Sequence, residues 1–98
     1  MTHEGWTNYE TWAVKLHMDN EQDAQEYWAE QARIEAEDAD NDKRISVRHL
    51  AATLKDEHEE ALPNLDGFAG DLLTAALGSV NWYEIAESLL ESYAEVTA

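Results

Sequence analysis

The chain has 98 residues, with 22 Asp and Glu against 6 Lys and Arg, a formal net charge of −16 and no cysteine. That charge repels nucleic acid and anionic membranes and attracts surfaces built to grip phosphates. The missing cysteines exclude disulfides, thiolate metal sites and cysteine nucleophiles.

Four Trp, four Tyr and 44% apolar residues suit one folded domain over residues 1–98 and not a disordered acidic tail. The pattern predicts an all-α fold, a single bundle of about five short helices. Thr7 with Glu10 reads as a capping box opening a helix over Asn8 to Met18, whose apolar face is Tyr9, Trp12, Ala13 and Leu16. Asp19 and Asn20 break the pattern and cap a second helix, Glu21 to Glu37, with Ala24, Tyr27, Trp28, Gln31 and Ile34 on one stripe. The polar run Asp38 to Arg44 reads as a loop.

Ser46 is the expected cap of a third helix, Val47 to Leu62, with Leu50, Ala51, Leu54, Ala61 and Leu62 inward. Pro63 ends it, having no N–H to donate and disfavouring helix at Leu62. Leu65 to Leu77 is the most apolar segment, carrying Phe68, Leu72, Leu73, Ala76 and Leu77, with Gly78 suited to its C-terminal cap. The last helix has the clearest start: Asn81 is the N-cap, Glu84 its partner three residues on, and Val80 with Ile85 forms a staple. Trp82, Ile85, Ala86, Leu89, Leu90 and Tyr93 then cover one side. No segment has the alternation that a strand would need.

The carboxylates follow helical spacing as well. Glu84, Glu87, Glu91 and Glu95 step by three, four and four along the last helix, and Asp19, Asp23, Glu26 and Glu30 step by four, three and four into and along the second. At about 1.5 Å per residue each turn presents one charge, sparser than the roughly 3.4 Å per phosphate of a DNA strand. Several such faces together approach that density. These eight residues are the candidate partner-binding set. Lys43, Arg44, Arg48 and Lys55 cluster in one stretch, where ion pairs with Asp42, Asp56 and the following glutamates are the expectation.

Asp38, Asp40 and Asp42 resemble the opening of a calcium loop, but Lys43 and His49 stand where that loop needs Gly and Glu, so no metal site is expected. His3, His17, His49 and His58 form no ligand pair and read as surface or interhelix packing residues. Without a glycine-rich phosphate loop or a nucleophile motif, neither enzymatic activity nor a cofactor is expected. The start of the chain lacks the basic and apolar regions of a signal peptide, and no apolar run approaches the roughly 20 residues that span a bilayer. The cytoplasm is the expected location, with no membrane partner.

The run Gly5-Trp6-Thr7-Asn8-Tyr9-Glu10-Thr11-Trp12-Ala13-Val14-Lys15-Leu16, with Asn81-Trp82-Tyr83-Glu84-Ile85-Ala86 near the other end, resembles short acidic proteins encoded by phages, plasmids and other mobile elements. In size and charge the chain is also similar to DNA-mimicking anti-restriction and anti-CRISPR proteins. The mobile-element group is functionally uncharacterised and carries over no site residues. The charge excess, the small size and the mobile-element resemblance together point to a non-enzymatic inhibitor that blocks the nucleic-acid groove of a basic host protein, a CRISPR effector or restriction enzyme, without binding nucleic acid itself. The alternative is an acidic interaction module without mimicry, its charge serving solubility or salt adaptation and its aromatics supplying contact. A homodimer through exposed aromatics fits either reading.

Overall fold

Every helix in this chain must find partners for its first free amides, and three of five do so with a side chain one residue ahead. Asn8 Oδ1 accepts from Thr11 N, Asp42 Oδ1 from Ile45 N and Asn81 Oδ1 from Glu84 N. A computed structural model describes residues 2–62 and 65–94. Its helices are α1 (Tyr9–Asn20), α2 (Gln22–Asp38), α3 (Lys43–Glu60), α4 (Gly67–Gly78) and α5 (Trp82–Tyr93). The fold is the expected all-α bundle. Pro63 and Glu95, the last carboxylate of the candidate row, lie outside the described residues.

Helices α3 and α5 form the centre, with α2 against both and α1 against α2 and α5. Leu50 and Leu54 of α3 meet Ile85 and Leu90 of α5 in the fully buried part of the core. The last helix buries the residues that its pattern predicts: Trp82, Ile85, Ala86, Leu89 and Leu90, with Tyr93 packed at the edge.

Elsewhere the buried faces are rotated. Helix α2 buries Trp28, Ala29, Ala32 and Ala36 and leaves Tyr27 and Ile34 exposed. Alanines score weakly as apolar residues, yet their small size allows close backbone approach, so the side of α2 that carries them with Trp28 lies against the core, and Tyr27 and Ile34 turn outward. In α1 the buried residues are Thr11 and Met18, with Val14 packed beside them, whereas Tyr9 and Leu16 are exposed. The α1 cap is Asn8, not Thr7, because Thr7 is held by the last helix instead.

Helix α3 starts at Lys43, four residues before the expected Val47. Asp42 caps it, while Ser46 is buried and its Oγ donates to Asp42 O at 2.7 Å. A buried serine bonded back to its own helix is spent, so the cap passes to the preceding aspartate. The loop thereby shrinks to Ala39–Asp42, turned by Asp40 and Asn41 at φ 52° and 62°, values that Asp and Asn tolerate better than most residues. Ala61 lies exposed and Leu62 is only half-buried, so the inward face of α3 ends at Leu54.

The most apolar segment stays at the margin of the core, meeting it through the half-buried Leu77. No residue of α4 is buried, and Phe68 is 79% and Leu72 54% exposed. Its entry is fixed locally: a Cβ on Gly70 would collide with the Leu65 carbonyl, and Gly67 sits at φ +67°. The chain therefore folds back on the first turn of α4 only because both positions are glycine.

Candidate functional site

The end segments over residues 5–16 and 79–86 are one hydrogen-bonded unit. Thr7 N donates to Glu84 Oε1 at 2.9 Å, and Asn8 Nδ2 to Ser79 O at 2.6 Å. In return Asn81 N donates to Thr11 Oγ1 at 2.9 Å and Asn81 Nδ2 to Thr7 Oγ1 at 3.2 Å. Thr11 Oγ1 donates onward to Asn8 Oδ1 at 2.6 Å. The caps of α1 and α5 are thus tied to each other, and the side chains that give these segments their signature hold the ends of the bundle together.

This clamp centres on the fully buried Thr11. Thr11→Val keeps the shape but leaves the Asn81 N–H without its acceptor, which costs about 1–3 kcal/mol. Urea unfolding should show that loss, with Thr11→Ser closer to the parent chain because it keeps the hydroxyl.

The candidate carboxylates fall into three environments. Asp19 at the end of α1 holds Lys15 at 2.6 Å. Asp23, Glu26 and Glu30 are exposed along the side of α2 opposite its buried alanines. Glu26 accepts from Gln22 Nε2 at 3.1 Å, and Glu30 pairs with Arg33 at 3.0 Å. On α5, Glu84 is half-buried in the clamp, while Glu87 and Glu91 are exposed and share Lys43 at 3.5 and 3.3 Å. Glu95 lies outside the described residues. The structure keeps the α2 members on one face and gives the α5 members a cap and a cation to hold.

Three carboxylates shift the pKa of two partners. Tyr27 Oη donates to Glu57 Oε1 at 2.6 Å; this bond, then desolvation, then the carboxylate's field hold the phenol above its usual 10.0. Lys43 is held above 10.5, first by its hydrogen bond to Glu91 and then by the field of Glu87. A group with a raised folded pKa contributes fully below its unfolded value and loses that contribution as pH rises through the folded one. The stabilisation from these pairs should therefore be fully present and independent of pH near neutrality, and thermal stability should fall off above about pH 10. Tyr27→Phe together with Lys43→Met should flatten that alkaline fall.

The ion pairs expected within α3 are absent among the described residues. Lys43 reaches α5 instead, and Arg44, Arg48 and Lys55 have no ion-pair partner among those residues. Their spacing of four and seven was readable in the sequence as one stripe, but not its lack of partners. Arg48 and Lys55 edge an open groove of about 640 Å³ between α3 and the start of α5.

The aromatics divide in the same way. His58 lies between Trp28, stacked at 5.7 Å, and Trp82 at 5.1 Å, and its Nδ1 is 2.7 Å from Leu54 O. It packs helices, as expected. His3, Tyr9 and Trp12 form a second trio with ring centroids 4.5–5.5 Å apart. Asp42, the last acid of the calcium-like run, spends its carboxylate on the α3 cap. No group of three or more His, Asp or Glu among the described residues is placed to hold a metal ion, and no helix there is long and apolar enough to cross a membrane.

The profile of a family of unknown function, DUF7249, matches residues 1–95. The chain belongs to that family. The match takes in both halves of the clamp, so the α1–α5 tie lies within the DUF7249 region. No curated protein and no solved structure matches the chain significantly.

Proposed function

We propose that this DUF7249 chain is a non-enzymatic inhibitor from a mobile element, acting in the host cytoplasm. It occupies the DNA-binding groove of a host defence protein, a CRISPR effector or restriction enzyme, through carboxylates that stand in for phosphates. The observation that carries this reading is the exposed row Asp23, Glu26 and Glu30 on a 17-residue helix. A helix of that length is about 26 Å long and fixes one charge per turn, roughly 5.4 Å apart. Rigid placement matters because a cationic groove gains most from charges already in position.

Lys43 partly neutralises the α5 row, so α2 carries the larger share of the contact. The chain's −16 charge adds long-range steering towards a basic partner. The test is competition: defence effectors are loaded with labelled DNA and challenged with excess protein at low and high salt. Displacement that fades as salt rises supports the reading. DNA binding that is unchanged by excess protein at low salt removes it.

A second reading, an acidic interaction module without mimicry, draws support from Tyr9 and Tyr83, which are 58% and 57% exposed beside the two halves of the clamp. Aromatic anchors of this kind carry much of the energy in protein interfaces. Their contact would hold or strengthen as salt rises, the opposite of charge mimicry.

A further inference from the structure

Helix α4 exposes the most apolar part of the chain, and the groove beside its C-terminal end is open. Ala51, Val80 and Trp82 line that groove with Leu77 from α4 itself, and Arg48 and Lys55 stand at its edge. Around a helix, Arg44, Arg48 and Lys55 fall within about 40° of one another. Three cations on one stripe, without an ion-pair partner among the described residues in a chain with 22 carboxylates, form a local field opposite to that of the whole molecule.

We propose that a second copy of this chain fills the groove: α4 of each copy lies in the groove of the other, in a closed two-fold dimer. Charge selects this face. Two bodies at −16 repel each other, and α4 contains one carboxylate, Asp71, where α2 contains six. Contact through α4 therefore brings the least like charge together and sets Asp71 near these cations.

Shape supports the same occupant. Ala51, Ala52 and Gly78 on the groove lining allow close approach of a helix, and Phe68 and Leu72 supply bulk to fill it. Because Leu77 and Gly78 belong to both α4 and the groove lining, arm and groove adjoin on one face, and a two-fold axis can satisfy both at once. A foreign partner would need to supply both a matching arm and a matching groove.

The 12 residues of α4 make a rod about 18 Å long and 10 Å wide. Two reciprocal contacts bury on the order of 1,000 Å², the low end for a specific interface, which suits a micromolar dissociation constant. Salt screens the repulsion and should strengthen the dimer, whereas it should weaken DNA mimicry. The dimer thus stands or falls apart from the proposed inhibition.

Sedimentation equilibrium on the full chain tests this. The mass should rise with concentration from 11.1 kDa to a plateau at twice that value, at lower concentration when NaCl is added. Phe68→Asp and Arg48→Glu should each raise the dissociation constant at least about tenfold with unchanged helical circular dichroism, since both residues are exposed; a tenfold change corresponds to about 1.4 kcal/mol. Tyr9→Asp should leave it unaltered. A mass that stays at 11.1 kDa up to about 1 mM, growth beyond the dimer, or a dimer indifferent to both variants would each overturn the proposal.

Discussion

Replacing Asp23, Glu26 and Glu30 by their amides is expected to weaken binding to a DNA-groove partner roughly tenfold to a hundredfold at low salt, at about 0.5–1 kcal/mol for each screened charge pair. The decisive comparison is an equal loss of charge elsewhere. Asp56, Glu59 and Glu60 are exposed in the last turns of α3, and their amides remove the same three charges. If the α2 row is the contact, the α3 triple should change affinity by less than about threefold, through long-range steering alone. The slope of log affinity against log salt should fall by up to about one for each α2 carboxylate removed. Folding is not at risk in either variant. Like charges three and four apart on a helix oppose it by a few tenths of a kcal/mol per pair, and their removal offsets the similarly small loss of the exposed Glu30–Arg33 pair. Equal weakening by the two triples would mean that net charge, not its placement on α2, governs the interaction.

The legible parts of this chain are those in which one local signal has one possible use. Asn81 is followed by a strongly amphipathic run, and both its cap and the buried face of α5 follow directly. Signals with two uses were decided by tertiary structure. Thr7 and Asn8 are both good caps, and the clamp to α5 takes Thr7 and leaves Asn8. Asp42 and Ser46 compete in the same way, and burial of Ser46 settles it. In α2 the sequence groups Tyr27 and Ile34 with Trp28, whereas the core takes Trp28 with Ala29, Ala32 and Ala36, whose small size lets the helices pack closely.

The site residues follow the same division. Helical spacing alone places Asp23, Glu26 and Glu30 on one face, and solvent leaves them there. It does not reveal that Glu84 will be drawn inward by Thr7, or that Lys43 will cross to Glu87 and Glu91. Those contacts join residues far apart in sequence. The exposure of α4 is likewise invisible to local pattern, since an apolar helix reads the same whether its neighbour is its own core or another molecule.

Leu50→Ala is expected to cost about 2–5 kcal/mol, through lost burial and the cavity left at the α3–α5 contact. Leu50 is fully buried there. Domains of this size have about 5–15 kcal/mol in total, and self-repulsion at −16 lowers what is available at low ionic strength. The variant should melt roughly 10–30 °C below the parent chain and be partly unfolded in dilute buffer. Added NaCl should restore helical circular dichroism, because screening weakens the repulsion while the apolar contacts persist. Leu72→Ala makes the same chemical change in a more apolar helix, yet at protein concentrations too low for association it should cost no more than about 0.5 kcal/mol. The contrast follows from location: Leu50 leaves a void among close-packed neighbours, and Leu72 gives up contact mostly with water. An equal cost at both positions would place α4 against the core of its own chain and remove the exposed face on which self-association depends.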